Sequence, residues 1–279
     1  MIRTAAAVLF VAFLVTACTD RSEQVDGPSG ASNPVGEDAS LVHAFDGDSM
    51  EVVIDGDTRE VRLTGINAPE GDECYGDAAR EALVDVIDGR GFVLVETADD
   101  IDEYGRLLRY VYVDGENINA RMLSDGNAVN LQTDHPLADD FFEIGAGAAE
   151  ARIGMWAIDA CGPPPPRGVT ITDVAYDPPG RDGEHLNDEF VTITNGGTDP
   201  VNLSGWILRD ESSQNRYRFG GVEVMAGKSV SVRTGCGTDT TSTVFWCSDL
   251  PIWSNGGDTA ILEDRHGTVA DRWAYRGNQ

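Results

Sequence analysis

The chain has 279 residues and a formal net charge of −28, from 48 Asp and Glu against 20 Lys and Arg. So acidic a surface repels polyanions at long range, which argues against a broad basic binding face and suits an exported protein in salty surroundings. A hydrophobic fraction of 41% excludes wholesale disorder, and the length suggests two domains at roughly 150 residues each. Lys228 is the only lysine, so nearly every positive charge is an arginine.

At the start, residues 5–14 form an apolar run, too short to span a bilayer as a mature helix. It leads into V-T-A-C, which ends at Cys18. Small residues before a cysteine resemble the bacterial lipoprotein signal, whose cysteine receives lipid and becomes the new N-terminus. Residues 1–18 are therefore expected to be signal peptide and lipobox. Lipid on Cys18 would anchor the chain in the cell envelope, outside the cytoplasmic membrane. An ordinary secretory signal with a chance cysteine is the alternative. Residues 19–40 lack large apolar side chains and read as a flexible tether.

From residue 41 the pattern turns to strands. L-V-H-A-F, M-E-V-V-I and R-E-V-R-L-T-G-I are joined by D-G-D-S and D-G-D-T, Asp-Gly turns of the hairpin kind. Residues 76–87 have helical spacing, with Ala79, Leu83 and Val86 on one face. Strands are expected at 91–96 and 107–113, with D-E-Y-G-R between them. Helices are expected at 118–123 and 138–152, the latter apolar at Phe141, Phe142, Ile144 and Ala148. The fold class is mostly β with some α, and residues 41–161 suit a five-stranded barrel of the oligonucleotide-binding type. His43 and His135 read as surface or packing residues.

Two lone arginines and one glutamate stand out in this domain: R-L-T-G-I-N-A-P-E runs from Arg62 to Glu70, and D-E-Y-G-R ends at Arg106. Attack of water on a phosphodiester builds negative charge on the phosphate oxygens. Guanidinium forks match that geometry and stay charged, and a carboxylate can orient and deprotonate the water. Each residue also has a plain reading: Arg62 as half of a surface ion pair, Glu70 as an acid favoured at a helix N-terminus, Asp48 as a turn residue.

The order F-D-G-D-S, V-R-L-T-G-I-N-A-P-E, C-Y-G-D-A-A, D-E-Y-G-R-L-L-R-Y-V-Y and I-G-M-W, spread over residues 46–156, resembles the staphylococcal nuclease (thermonuclease) family. The resemblance implies an oligonucleotide-binding barrel and calcium-assisted phosphodiester hydrolysis, of an endonuclease kind, on DNA, RNA or both. By matching positions, it makes Arg62 and Arg106 the phosphate clamps and Glu70 the general base or water-orienting carboxylate. Tyr104 would hydrogen-bond a substrate phosphate, and Asp48 would ligate the metal. Asn67 stands where the family commonly has an aspartate. Its neutral oxygen still suits calcium but lacks the charge, and the Ala68 carbonyl is a further donor, so weaker metal binding is expected. Asp46 is a candidate to compensate.

C-G-P-P-P-P-R leads out of this domain, and residues 162–168 read as a stiff linker. Beyond it, residues 169–279 show many short strands separated by turns and no helical run, as in a β-sandwich. E-F-V-T-I-T-N, L-S-G-W and N-G-G-D-T-A-I-L resemble the lamin tail domain, which implies an immunoglobulin-like sandwich; its ligand is unknown. Trp206, Phe219 and Trp253 are expected in its core or on a sheet face. No catalytic constellation is visible in it.

With Cys18 assigned to lipid, Cys74, Cys161, Cys236 and Cys247 remain, and four cysteines allow three pairings. Two fall on each side of the linker region, so Cys74–Cys161 and Cys236–Cys247 is the economical choice. No pair has C-x-x-C spacing, which disfavours zinc. The expectation is thus an exported, membrane-anchored nuclease that acts on nucleic acid. A non-catalytic barrel that holds nucleic acid, or an envelope protein whose sandwich does the work, are the alternatives; pure binding does not require Glu70.

Overall fold

The computed structural model describes residues 34–181, 183–212 and 214–277. Cys18, the expected signal peptide and most of the expected tether lie outside the described residues.

Strands β1 (Glu37–Ala44), β2 (Ser49–Ile54) and β3 (Asp57–Leu63) form an antiparallel meander. The β2–β3 turn is Asp55–Gly56, both in the left-handed region (φ 50° and 93°), as a two-residue hairpin requires. A short β4 (Ile66–Asn67) leads to helix α1 (Gly76–Ile87). Its Ala79, Leu83 and Val86 are buried, as their spacing predicts. Strands β5 (Phe92–Ile101) and β6 (Leu107–Val113) pair antiparallel, and β5 pairs with β1. The parallel pairing of β3 with β6 closes β1, β2, β3, β5 and β6 into a five-stranded barrel. Then follow β7 (Glu116–Asn117), α2 (Ile118–Ser124), β8 (Val129–Asn130), α3 (Ala138–Glu150) and a 3-10 turn, Gly154–Trp156. Met50, Leu63, Leu83, Phe92 and Leu94 are fully buried in the barrel core; each contributes about 1.5–3 kcal/mol of transfer free energy.

One expectation is corrected. Residues 37–40, assigned to the tether, belong to β1: Glu37 pairs with Leu94 and Ala39 with both Phe92 and Ile54. Glu37 also ion-pairs with Arg109 at 3.4 Å, whose side chain is buried. A strand paired on both sides gets its stability from the ladder and from such contacts, not from its own hydrophobicity. Two smaller differences follow the same logic. β5 runs on to Ile101 through polar residues, and on α3 Phe142 and Ile144 are only half-buried.

The second domain is a sandwich. One sheet has β9 (Val169–Ala175), β10 (Phe190–Asn195), β15 (Ser229–Arg233) and β16 (Thr243–Phe245) in the order β16-β15-β10-β9. The other has β12 (Ile207–Arg209), β13 (Arg216–Arg218), β17 (Gly257–Glu263) and β18 (Val269–Arg276) in the order β13-β12-β17-β18. β11 (Val201–Asn202) pairs with β14 (Glu223–Val224) beside them. Val191, Ile193, Val230 and Val232 from the first sheet meet Leu208 and Leu262 from the second, with Trp206, Phe219 and Trp253 buried among them. The alternating burial of β10 and β15 is what their period-two sequences demand.

Barrel and sandwich lie in one compact unit. Val129, Ala148, Met155 and Trp156 of the first pack with Ile261 and Val269 of the second in a shared apolar cluster. Arg276 crosses to Asp139 (2.8 Å) and Glu143 (3.1 Å) and lies over the Phe142 ring. Disulfides join Cys74 to Cys161 and Cys236 to Cys247. The Cys161 sulfur also lies 3.3 Å from the Gly267 carbonyl of the sandwich.

Candidate active site

The site begins at the β1–β2 connection. Asp46 Oδ1 accepts the backbone N–H groups of Asp48 (2.8 Å) and Ser49 (2.7 Å), so an aspartate turn fixes the start of β2. Gly47 fits there because a Cβ would come within 2.8 Å of both Ala68 and Ala79. The Asp48 side chain then points inward. Its Oδ2 accepts the Ala68 N–H at 2.5 Å, and its Oδ1 accepts the Ser49 hydroxyl at 2.9 Å. Arg62 Nε lies 3.1 Å from the same Oδ1. Burial pushes the Asp48 carboxyl up to about 7, and Asp46 adds to that, against the downward pull of Arg62 and of the Ala68 and Ser49 hydrogen bonds.

Strand pairing brings the two arginines together. On β3, Arg62 faces Ser49 across the β2 ladder and Leu108 across the β6 ladder, two residues past Arg106. Besides Asp48, Arg62 donates Nη2 to Asn67 Oδ1 (3.2 Å) and Nη1 to the Leu63 carbonyl (2.8 Å). Arg106 donates Nε to Asp102 Oδ2 at 2.7 Å and reaches Ser49 Oγ with Nη1 at 3.5 Å. The Ser49 hydroxyl therefore links the two guanidinium groups through Asp48.

Asp102 builds the D-E-Y-G-R turn: its Oδ1 accepts the Tyr104 N–H (3.0 Å) and the Arg106 N–H (2.9 Å). Burial pushes its carboxyl up, but hydrogen bonds and charge from Arg106, with the Tyr104 N–H, outweigh this and leave it below the usual carboxylate range. Tyr104 is 69% exposed, and its ring lies 5.4 Å from the Arg106 guanidinium carbon.

Glu70 is exposed and follows Pro69 at the rim. Its backbone N–H donates to Glu73 Oε2 (3.1 Å), its carbonyl accepts the Glu73 N–H (2.9 Å), and Gly76 at the start of α1 sits so close that a Cβ would meet that carbonyl. Arg62, Glu70, Arg106, Asp48, Asn67 and Tyr104 all line one cleft of about 420 Å³. The cleft thus gathers every residue expected to act in catalysis, phosphate binding or metal binding except Ala68, which is buried with its N–H on Asp48.

The fit to calcium can be judged from the donors. Asp46, Asp48, Asn67 and Glu70 bring oxygen atoms to the cleft, the donor type a hard cation takes. Asp48 and Asn67 here share their oxygens with Arg62. The residues fit the metal in kind, with the negative charge thinned by asparagine at 67. Among the described residues no cluster of three His, Cys, Asp or Glu forms a metal cage. His135 packs inside the domain, its Nδ1 2.7 Å from the Tyr110 hydroxyl and its ring against Phe141.

Ser49 and Asp102 carry no role legible from sequence, although they stand inside the F-D-G-D-S and D-E-Y-G-R motifs; an acid four residues before Arg106 is the available signal. Ser212 and Gln214 of the sandwich line the same cleft. Nothing local in the sequence marks them.

Two family models match the chain: "Staphylococcal nuclease homologue" over residues 60–158 and "Lamin Tail Domain" over residues 163–277. Among curated proteins, "Protein ParB" of Escherichia coli is 34% identical over 127 residues, covering 42% of this chain and 71% of that protein. "Micrococcal nuclease" of Shigella flexneri is 31% identical over 127 residues, covering 42% of this chain and 72% of that protein. "SPbeta prophage-derived endonuclease YokF" of Bacillus subtilis (strain 168) is 30% identical over 130 residues, covering 43% of this chain and 44% of that protein.

Proposed function

The chain belongs to the staphylococcal nuclease homologues, with a lamin tail domain after the nuclease domain, and from that premise we propose that it hydrolyses phosphodiester bonds of DNA, RNA or both at the cleft between Arg62, Glu70 and Arg106, as a calcium-assisted endonuclease held in the cell envelope. The observation that carries this reading is the convergence of two guanidinium groups and one carboxylate on a single cleft.

In this reading Arg62 and Arg106 grip the scissile phosphate from two strands. Their forks stabilise the charge that develops on its oxygens as water attacks. Asp102 keeps Arg106 aimed by taking its Nε, which leaves Nη2, and Nη1 with its long 3.5 Å contact to Ser49, for the phosphate. The Arg62 Nη2 contact with Asn67, at 3.2 Å, is longer than its contacts with the Leu63 carbonyl and Asp48, and is the one a phosphate would replace. Glu70, at the open rim, orients the water and takes its proton. Tyr104, exposed beside Arg106, hydrogen-bonds a neighbouring phosphate. Asp48 and Asn67, with Asp46, all of which line the cleft, would hold calcium; when bound, the ion would neutralise phosphate charge and polarise the phosphorus centre.

Export and lipidation of Cys18 belong to the same proposal. V-T-A-C supports them, and the two disulfides suit an oxidising compartment. A second reading, a non-catalytic nucleic-acid or envelope-binding protein, draws on Asn67 and on the net charge of −28. Incubation of the purified protein with plasmid DNA and with RNA, with calcium or with chelator, separates them. Calcium-dependent cleavage supports the nuclease, and binding without cleavage supports the module.

A further inference from the structure

The hairpin of β12 and β13 leans over the barrel mouth. Ser212 and Gln214, from the connection between these strands, line the cleft together with Arg62, Glu70 and Arg106. Glu211, beside them, accepts the backbone N–H of Gln132 from the barrel at 2.5 Å, which ties the connection down.

Arg216, at the start of β13, reaches across the domain boundary. Its Nη2 ion-pairs with Glu73 Oε1, while its Nη1 lies 3.9 Å from Glu263 Oε2. Glu263 is itself held by the buried Arg209 at 2.6 Å. The guanidinium thus stands on a fixed base inside the sandwich. Glu73 uses its second oxygen, Oε2, to accept the Glu70 N–H at 3.1 Å, and its own N–H donates to the Glu70 carbonyl. Arg216 and Glu73 are only about a quarter exposed, at 24% and 25%, so the pair is screened less than a surface salt bridge.

We propose that the lamin tail domain is part of the nuclease site: Arg216 is a positioning residue that holds Glu73, and Glu73 holds the backbone of Glu70 at the cleft rim. This rests on the reading of Glu70 as the water-activating carboxylate. Glu70 lies in the loop between β4 and α1. The 70–76 segment is pinned at one end by the close approach of Gly76 and by the Cys74–Cys161 bridge. At Glu70 itself the Glu73 carboxylate accepts the backbone N–H, and among the described residues Arg216 is the cation that ion-pairs with that carboxylate. Displacements of an ångström at a reacting group are enough to cost a large factor in rate. The sandwich then contributes to catalysis without touching substrate at Arg216, and it explains why a nuclease barrel keeps a second domain docked on its mouth.

The test uses the full chain as wild type, Arg216→Ala, Arg216→Lys, Glu73→Gln and the Arg216→Ala/Glu73→Gln double variant. Cleavage kinetics on a short single-stranded oligonucleotide with calcium are run beside hydrogen exchange of the peptide that contains Glu70. Arg216→Ala should lower kcat roughly 10-fold with KM unchanged. Arg216→Lys should recover part of the loss, and the double variant should be no worse than the poorer single, because both act through one contact. Exchange at the Glu70 amide should be faster in Arg216→Ala and Glu73→Gln, with overall melting behaviour retained. An unchanged kcat, or a rise in KM alone, overturns the proposal, as does unchanged exchange at Glu70. If the wild type cuts nothing, the nuclease reading has failed, and the exchange comparison by itself decides whether Arg216 holds Glu70.

Discussion

Arg62 Nε lies 3.1 Å from Asp48 Oδ1, and Asp48 is almost wholly buried. The residue read as a phosphate clamp is therefore also the counter-charge of the buried acid read as a metal ligand. Removal of Arg62 leaves that carboxylate without its cation. Arg62→Ala is accordingly expected to impair the site twice, by losing a phosphate donor and by raising the Asp48 carboxyl further. Losing one transition-state donor costs ~10²–10³ in turnover. Arg62→Lys should rescue little, because a lysine cannot reach Asp48, Asn67 and the phosphate with a planar fork. Steady-state cleavage by the two variants, compared at equal folded fraction, checks this.

Asn67→Asp is expected to lower the calcium concentration that gives half-maximal cleavage. The change places a charged oxygen beside Asp48, and hard cations favour carboxylates. The same oxygen faces Arg62 Nη2 at 3.2 Å, so the mutant holds Arg62 more firmly and its kcat should rise less than its calcium affinity. A calcium titration of activity reads both quantities. An unchanged midpoint means that position 67 is outside the metal shell.

The edge of the sandwich at the cleft carries an acid cluster that sets a pH dependence. Burial, then the charge of Asp258, pushes the Glu211 carboxyl well above its usual range; burial, then Asp210, pushes Asp258 up to about 7. The Gln132, Ser254 and Thr259 backbone N–H groups and the Gln132 side chain pull the other way, and the Tyr275 hydroxyl faces the same charges. An acid whose folded pKa is raised binds more protons folded than unfolded between the two values. Its contribution to stability is therefore full below its unfolded value near 4.5 and falls as pH rises toward the folded value. Glu211→Gln should flatten the decline in melting temperature that sets in as pH rises above 4.5, relative to wild type. A parallel decline in both proteins contradicts it.

The Cys74–Cys161 bridge closes a separation of 87 residues, and the chain-entropy model gives such a link up to roughly 4–5 kcal/mol. Replacement of both cysteines by alanine should lower stability by up to that amount. It should also loosen the 70–76 segment at the cleft. Denaturant unfolding of the double variant measures the first effect, and a lower kcat with an intact fold reports the second.

Much of the fold was legible because its signals are local. Helix α1 announces itself by Ala79, Leu83 and Val86 on one face, and the β2–β3 hairpin by Asp55–Gly56. Arg62 and Arg106 were legible through motif order, and the parallel β3–β6 pairing shows why the order matters. What stayed hidden depends on tertiary contacts. Glu37 joins a strand because Leu94 and Arg109 await it. Ser212 and Gln214 reach the cleft, and Arg216 reaches Glu73 beside it, because the sandwich docks there, and no periodicity in their own segment encodes that docking.

The most direct test of the central claim is cleavage of single- and double-stranded substrates, with calcium present, by wild type, Arg62→Ala, Glu70→Gln and Arg106→Ala. Wild type should cleave, and Arg62→Ala and Arg106→Ala should each lose about 10²–10³ in turnover, while Glu70→Gln should also be slowed yet still bind substrate because it keeps the shape of the side chain. Moderate salt should raise the wild-type rate, since it screens the repulsion between polyanion and a surface of net charge −28. A wild type that cleaves nothing, or three variants that match it, would leave the barrel a binding module.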